Sequence, residues 1–365
     1  MKPKALISLF LSFFFVVQPL AAPAMETDQY NLPPVPLADV GDEVSEYIAQ
    51  SLFAAVSKVN ANIAFHQACI DAASVKRSDC GSSKKENKKL AYFRSNDAVA
   101  KELYKLLGAG NIFVSHIGQW MNSHKFRSTP ATYKANYLES IYFAAPIDFA
   151  TLSPTVRLFG VEFGTDKLDH LFQQGYRYYT LQKDVAAKGA TPEQAVQKAI
   201  KWGQMTERTY FGLLVSGVYS NADLYANYAG MKFYQGLTEP VSIGKETRPS
   251  ILNLKDGKWT VDTANLRDDL LKPFVTEHLN EALNPSGYAF TIFGSIRRAI
   301  KKNGCPEWRK MLPHATKADL DSRSASLEKW NGEDYGFTRK GKSVPIAVCF
   351  EDQLPNNSRT SASAS

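Results

Sequence analysis

Gly164-Thr165-Asp166-Lys167-Leu168-Asp169-His170-Leu171-Phe172-Gln173-Gln174-Gly175-Tyr176-Arg177-Tyr178-Tyr179 is the stretch on which the fold turns. Wound at 100° per residue, it puts Asp166, His170, Gln173, Gln174 and Arg177 on one face. Leu168, Leu171, Phe172, Gly175 and Tyr179 fall on the other. That is an amphipathic helix with an N-cap at Thr165, and Gly189 is its natural terminator. Thr191-Pro192-Glu193 then opens a second helix with a cap, a proline at the first helical position and an acid in the first turn. This second helix is expected to reach about Tyr219. Ser220-Asn221-Ala222-Asp223 has the form of a capping box and starts a third helix running to Gly236, with Pro240 beyond.

Short connections make the three helices antiparallel neighbours. Counting from the two turns, Asp166 and His170, Glu207, and Asp223 and Asn227 all fall at one level of the bundle. Glu207 lies on a face continued by Phe211, Leu214 and Val218, so an apolar side carries a carboxylate. A buried carboxylate must protonate, bind a metal, or meet a cation or a donor. Each residue also has an ordinary explanation: Asp166 as a first-turn acid, Asp223 as the third residue of a capping box. Gly230, on the face of Asn227, would let another helix approach closely.

Outward from this core, Val44, Ile48, Leu52, Val56, Val59 and Ile63 keep a helical period towards Cys69, and a lysine-rich loop (Lys84, Lys85, Lys88, Lys89) follows. A helix starts at Asn96 or Asp97, another carries Ile112 to Trp120, and Pro130 is expected to begin one through Tyr133, Tyr137 and Ile141. Beyond Pro240, Asp256-Gly257 between Leu252-Asn253-Leu254 and Lys258-Trp259-Thr260-Val261 reads as a β-hairpin. A helix through Leu266, Leu270, Leu271, Phe274 and Leu279, a second over 292–300 and a strand at 344–348 complete the pattern. The fold class expected is mainly α: a helical bundle with a small β-hairpin-containing C-terminal region. The divisions are an extended arm over 25–41, a helical domain over 42–239, a mixed region over 240–354 packed on it, and a disordered tail over 355–365.

The N-terminus speaks to compartment. Lys2 and Lys4 precede an apolar run from Ala5 to Val17, and Ala22-Pro23-Ala24 supplies small residues for processing, so 1–24 reads as a cleaved signal peptide. No later segment holds the roughly 20 apolar residues of a membrane span. The expected location is periplasmic or secreted. There, Cys69, Cys80, Cys305 and Cys349 pair by default, and proximity favours Cys69 with Cys80 and Cys305 with Cys349. Without Lys2 and Lys4 the formal charge falls from +7 to +5, a mild excess with no basic stripe interleaved with aromatics. Nucleic acid is therefore not an expected partner; a cell-envelope glycan, lipid or protein is. His66, His116 and His124 read as packing or surface residues. Tyr176, Tyr178, Tyr179, Tyr225, Tyr228 and Tyr234 suit a core or sugar stacking.

Asp166-Lys167-x-x-His170, then Glu207, then Ser220-x-x-Asp223-x-x-Ala226-Asn227-x-x-Gly230 resembles a signature of VanZ-like proteins and of related small periplasmic lipoproteins, over about 65 residues. The resemblance implies a role in the cell envelope. Two functions follow. One is an envelope hydrolase or transferase with His170 as general base, Glu207 as an acid of raised pKa and Asp166 as orienting partner. Lys167, Asp223 and Asn227 would bind substrate, and a divalent metal on His170, Glu207 and Asp223 is an option rather than a requirement. The other is a non-catalytic binding or structural protein in which the same residues set helix packing.

Overall fold

The computed structural model describes residues 26–72, 79–110, 114–144, 152–209, 211–266 and 270–351. The signal peptide and the tail expected from the sequence fall outside them. These residues are 54% helical against 12% strand, which bears out the mainly α class. The β structure is not confined to the C-terminal region, however. Short antiparallel sheets are scattered through the chain.

Helix α1 (Gly41–Asp71) buries Val44, Ile48, Leu52, Val59 and Ile63 at the expected period. The lysine-rich stretch after it is not a loop but helix α2 (Ser83–Phe93), and α3 (Asn96–Leu107) follows. Lysine and glutamate are good helix formers. Glu86 is drawn inward to His66 on α1, with Nδ1 to Oε2 at 2.5 Å, and the Cys69–Cys80 bond closes the turn between the two helices. Helix α4 (His116–Ser123) is capped by Ser115.

The helix expected from Pro130 is absent. Instead β1 (Thr132–Tyr133), β2 (Thr155–Leu158) and β3 (Val161–Gly164) form a three-stranded antiparallel sheet, and Ile141–Ala144 is a single 3-10 turn. Tertiary contacts overrode local pattern here: the Asp28 carboxylate accepts the amide of Ile141, and Ala38 donates to the carbonyl of Pro130. Strand β3 delivers the chain directly into the opening helix.

That helix is α5 (Asp166–Asp169), a π turn (His170–Gln174) and α6 (Gly175–Ala186) in continuous succession. Helix α7 (Pro192–Arg208) begins with a complete capping box between Thr191 and Gln194 but stops eleven residues short of Tyr219. A turn brings Leu213 N back to the carbonyl of Glu207 at 2.8 Å, and β4 (Val218–Tyr219) follows. Gly212 and Gly217 permit this: a Cβ at 212 would lie 2.1 Å from the Glu207 carbonyl oxygen, and Gly217 has φ +78°.

Helix α8 (Asn221–Gly236) is the axis of the molecule, buried on nearly every side, and α6 packs against both it and α7. Gly175 and Gly230 meet at the crossing; a Cβ on Gly175 would sit 2.5 Å from the Gly230 Cα. The close approach expected at Gly230 is real. Tyr178, Tyr179, Tyr225, Tyr228 and Tyr234 are all core residues.

Strands β5 (Val241–Ile243) and β6 (Glu246–Arg248) pair, as do β7 (Leu252–Lys255) and β8 (Lys258–Val261) across Asp256-Gly257, the expected hairpin. The helix expected through Leu279 is only a turn, α9 (Thr263–Leu266), and later 3-10 turns at Lys272–Phe274 and Glu277–Leu279. Pro273 and the side-chain bonds of Asn280 and Asn284 hold this segment irregular while Leu270, Leu271 and Phe274 reach the core. Strand β9 (Gly287–Tyr288) leads into α10 (Phe290–Ala299), a π turn (Ile300–Gly304) and α11 (Cys305–Met311); α12 (Lys317–Ser326) and β10 (Lys342–Ser343) follow. The strand expected at 344–348 is a 3-10 turn, Ile346–Phe350, that carries Cys349 inward.

Both expected disulfides are formed, with Cα atoms 5.5 Å apart for Cys69–Cys80 and 4.9 Å for Cys305–Cys349. They close loops of 11 and 44 residues. Loop-closure entropy makes the longer one worth about 4 kcal/mol and the shorter about 3 kcal/mol. Alanine replacement of each pair, followed by urea unfolding, should give losses in that order; the reverse order would discount the entropic account.

The stretch expected to be an extended arm has no regular secondary structure from 26 to 38, yet it is not peripheral. Glu26, Thr27, Asp28, Gln29 and Tyr30 are all at most 3% exposed.

Candidate functional site

Helix α5 contributes Asp166, Lys167 and Asp169, all buried, so the start of the face expected to be polar is not solvated. The Lys167 side chain is wholly enclosed, and its ammonium lies 2.6 Å from Asp166 Oδ2, 2.6 Å from Asp223 Oδ1 and 2.5 Å from Glu281 Oε1. Burial alone would lower its pKa, but the three carboxylates outweigh this and hold it well above the ordinary lysine value. Thr27 Oγ1 donates to Asp166 Oδ1 at 2.7 Å, and Tyr142 OH donates to Glu281 Oε2 at 2.9 Å. This half of the cluster is closed and satisfied.

The other half opens towards His170. Its Nε2 is 3.3 Å from Asp223 Oδ2, and its Nδ1 is 3.1 Å from Asn227 Oδ1, one turn along α8. The imidazole is thus oriented by Asp223 and Asn227; Asp166, the orienting partner expected from the sequence, is held by Lys167 and Thr27. Glu207 comes from the last turn of α7. Its Oε2 accepts the amide of Ser220 at 3.3 Å, while its Oε1 is buried with no hydrogen-bond partner. One ligand atom each from His170, Glu207 and Asp223 lie within 4.8 Å of one another.

The local reasons are visible in the chain. The Ser220 side chain caps α8 by accepting the amide of Asp223 at 3.1 Å. In a full capping box the Asp223 carboxylate would return to the Ser220 amide. Here that carboxylate is drawn to Lys167 and His170, and Glu207 takes the amide instead. The π turn at His170–Gln174 inserts one residue of extra winding and separates the buried acids of α5 from the core tyrosines of α6.

Electrostatics divides the carboxylates. Burial, reinforced by the Asp223 charge, pushes Glu207 well above the usual carboxylate range. Burial also raises Asp223, but His170 and Lys167 together overcome it and leave the pKa below normal. Glu281 is pushed up to about 7 by burial, with Lys167 opposing. Asp169 also reaches about 7 through burial, although Ser115 donates to it from both its amide, at 2.7 Å, and its hydroxyl, at 2.5 Å.

The residues singled out from the sequence are therefore assembled, in two groups sharing Asp223. Lys167, expected to bind substrate, has no exposed surface and serves as an internal counter-ion. Glu281, Thr27, Tyr142, Ser220 and Asp169 were not anticipated. Ser220 could have been found, because a cap positioned next to Asp223 must direct a hydroxyl inward. The arm residues carried no such signal. The three histidines set aside are structural: His66 pairs with Glu86, His124 pairs with Glu43 and stacks on Trp120, and His116 bonds the Lys105 carbonyl.

Compared with protein-family models, with curated proteins and with solved structures, the chain matches none. Among the described residues no helix is long and apolar enough to cross a membrane. The two disulfides suit an oxidising compartment.

Proposed function

We propose that this is an exported cell-envelope hydrolase or transferase whose reacting site is His170, Glu207 and Asp223, with one divalent cation held among them. The single observation that carries this is Glu207: a buried carboxylate whose Oε1 has no donor among the described residues, with one of its oxygens within 4.8 Å of ligand atoms on His170 and Asp223. Buried polar atoms are nearly always paired, and an exception calls for a partner. The second acidic group, Asp166, Asp223 and Glu281, does not compete for a metal, because the Lys167 ammonium already fills it.

One imidazole and two carboxylates suit Zn²⁺, Mn²⁺ or Fe²⁺. Such an ion, when bound, supplies polarisation of a water or of a substrate carbonyl or phosphoryl oxygen. The chain supplies the rest. His170, about one-sixth exposed against 4% for the Asp223 side chain, is the group a substrate meets; its Nε2 would ligate the ion or, with no ion bound, accept a proton. Asn227 fixes its ring and Lys167 helps draw the Asp223 pKa down, while Glu207, its pKa raised by burial, would release any proton it holds on taking the ion. The likeness to VanZ-type sequences supports an envelope substrate.

The test is metal content. Purified protein incubated with Zn²⁺, Mn²⁺ or Fe²⁺ and then desalted should retain about one ion per chain, as expected of a single closed ligand set. His170→Ala should retain almost none while staying folded. A folded protein that takes up none of the three ions would sink the metal reading, and unchanged cleavage of envelope fractions by His170→Ala would sink the enzyme. A second reading, a non-catalytic binding or structural protein, has one observation in its favour. Glu207 and Asp223 are at most 3% exposed, so two of the three side chains are shut away from an approaching substrate.

A further inference from the structure

Strands β10, β9 and β4 form a small antiparallel sheet, with Tyr288 paired to both Val218 and Lys342. Three segments converge at one end of it: the loop before β4, the start of α10 and the turn before β10. Ala289 N donates to the Gly217 carbonyl at 2.8 Å, tying the first two together. The third is tied by Lys342, whose ammonium lies 5.0 Å from the Phe290 ring centre and 5.3 Å from that of Phe293.

This end is apolar at its tips and basic around them. Phe290 is 80% exposed and Leu214 77%, the two most exposed large apolar side chains among the described residues. Along the helix from Phe290, the outward stripe continues through Gly294, Arg297 and Lys301 at helical spacing, flanked by Arg298 and Lys302, all exposed. Ile296 and Ile300 take the opposite, buried face. No Asp or Glu occurs in 208–222, in 282–306 or in 335–350, the three stretches that meet here. Two basic side chains of these stretches pair with acids outside them, Lys301 with Glu351 at 3.3 Å and Arg339 with Glu328. A solvated basic face needs no exposed phenyl and leucyl side chains. A helix with aromatic tips and an acid-free basic flank is the form of an interfacial anchor.

We infer that this face docks the protein on an anionic phospholipid surface, with Phe290 and Leu214 entering the headgroup layer and Arg297, Arg298, Lys302 and Lys342 meeting the phosphates. The inference does not depend on the enzymatic reading. It does place the lipid contact one loop from the cluster, since the Leu214 loop joins Glu207 to Ser220.

Sedimentation of the full exported chain with vesicles tests it. The protein should pellet with vesicles of equal parts phosphatidylglycerol and phosphatidylcholine, and not with phosphatidylcholine alone, and added salt should release it. Reversing Arg297→Glu and Arg298→Glu together should weaken partitioning by at least about 10-fold, and Phe290→Ser by about 5-fold. These side chains are exposed, so unchanged thermal melting keeps the comparison fair. No binding to either vesicle, or equal binding to both, overturns the proposal. Loss on charge reversal with Phe290→Ser and Leu214→Ser both unaffected would identify a general polyanion site and overturns it as well.

Discussion

Replacing Lys167 with methionine is expected to cost at least about 3–5 kcal/mol and to leave little folded protein at neutral pH. The side chain is wholly enclosed and its charge is shared by three carboxylates at 2.5–2.6 Å. Methionine fills the same volume, so the loss is electrostatic: three buried acids would lose the cation they surround. Urea unfolding at neutral pH measures it, and a deficit under about 1 kcal/mol, the worth of an exposed pair, would show that the cluster is not held by this charge. The pH profile supplies a second check. Lys167 has a raised pKa when folded, so its contribution is complete below the ordinary lysine value near 10.4 and fades only as pH climbs through the higher folded value. Glu281 behaves differently on the acid side. Its folded pKa of about 7 exceeds the unfolded one, so the native chain binds the extra proton between roughly pH 4.3 and 7. Stability therefore falls as pH rises through that window, and Glu281→Gln should flatten the fall.

Glu207→Gln is expected to do the opposite to Lys167→Met: abolish metal retention and activity, by more than about 100-fold, with less than about 1 kcal/mol change in the stability of the metal-free protein. Glutamine has the shape of a protonated glutamate, and its carbonyl can still accept the Ser220 amide. Among the described residues no hydrogen bond to its Oε1 would be lost. Asp223→Asn is the contrast, because it withdraws charge from both Lys167 and His170 and should destabilise. The pair of measurements separates a working acid from a packing acid. If Glu207→Gln melts as early as Asp223→Asn, or keeps its metal, Glu207 is part of the scaffold and the proposed site is wrong.

Much of the site's layout was readable from linear order. Caps at Thr191 and Ser220 gave the helix starts and a short loop joins α6 to α7, but Glu207 meets His170, Asp223 and Asn227 across a turn and β4 rather than a second short loop. What failed has a common physical origin. The end of α7 and the segment from 263 to 284 show helical apolar periods, but glycines, a proline and asparagine side-chain bonds redirected the backbone while the same apolar residues still reached the core. Gly212 and Gly217 were a legible warning; the irregular run that delivers Glu281 was not. Nor does the π turn have a local signature, since His170–Gln174 holds no glycine or proline. It ends at Gly175, where that glycine packs on Gly230.

The buried segment from Glu26 to Tyr30 has a consequence for how the chain comes to life. Its contacts run to the far end of the sequence: Tyr30 OH donates to the Val344 carbonyl across 314 residues, and Trp308 Nε1 donates to the Tyr30 carbonyl. The Glu281 amide reaches back to Gln29 at 2.6 Å. Residues 26–30 thus cannot find their places until the segments carrying Glu281, Trp308 and Val344 are present. Long-range closure of this kind makes folding slow. Until those segments are present the Lys167 cage, which needs Glu281, is incomplete. Docking of these distant segments on one another, rather than the folding of any one of them, is the event that assembles the core.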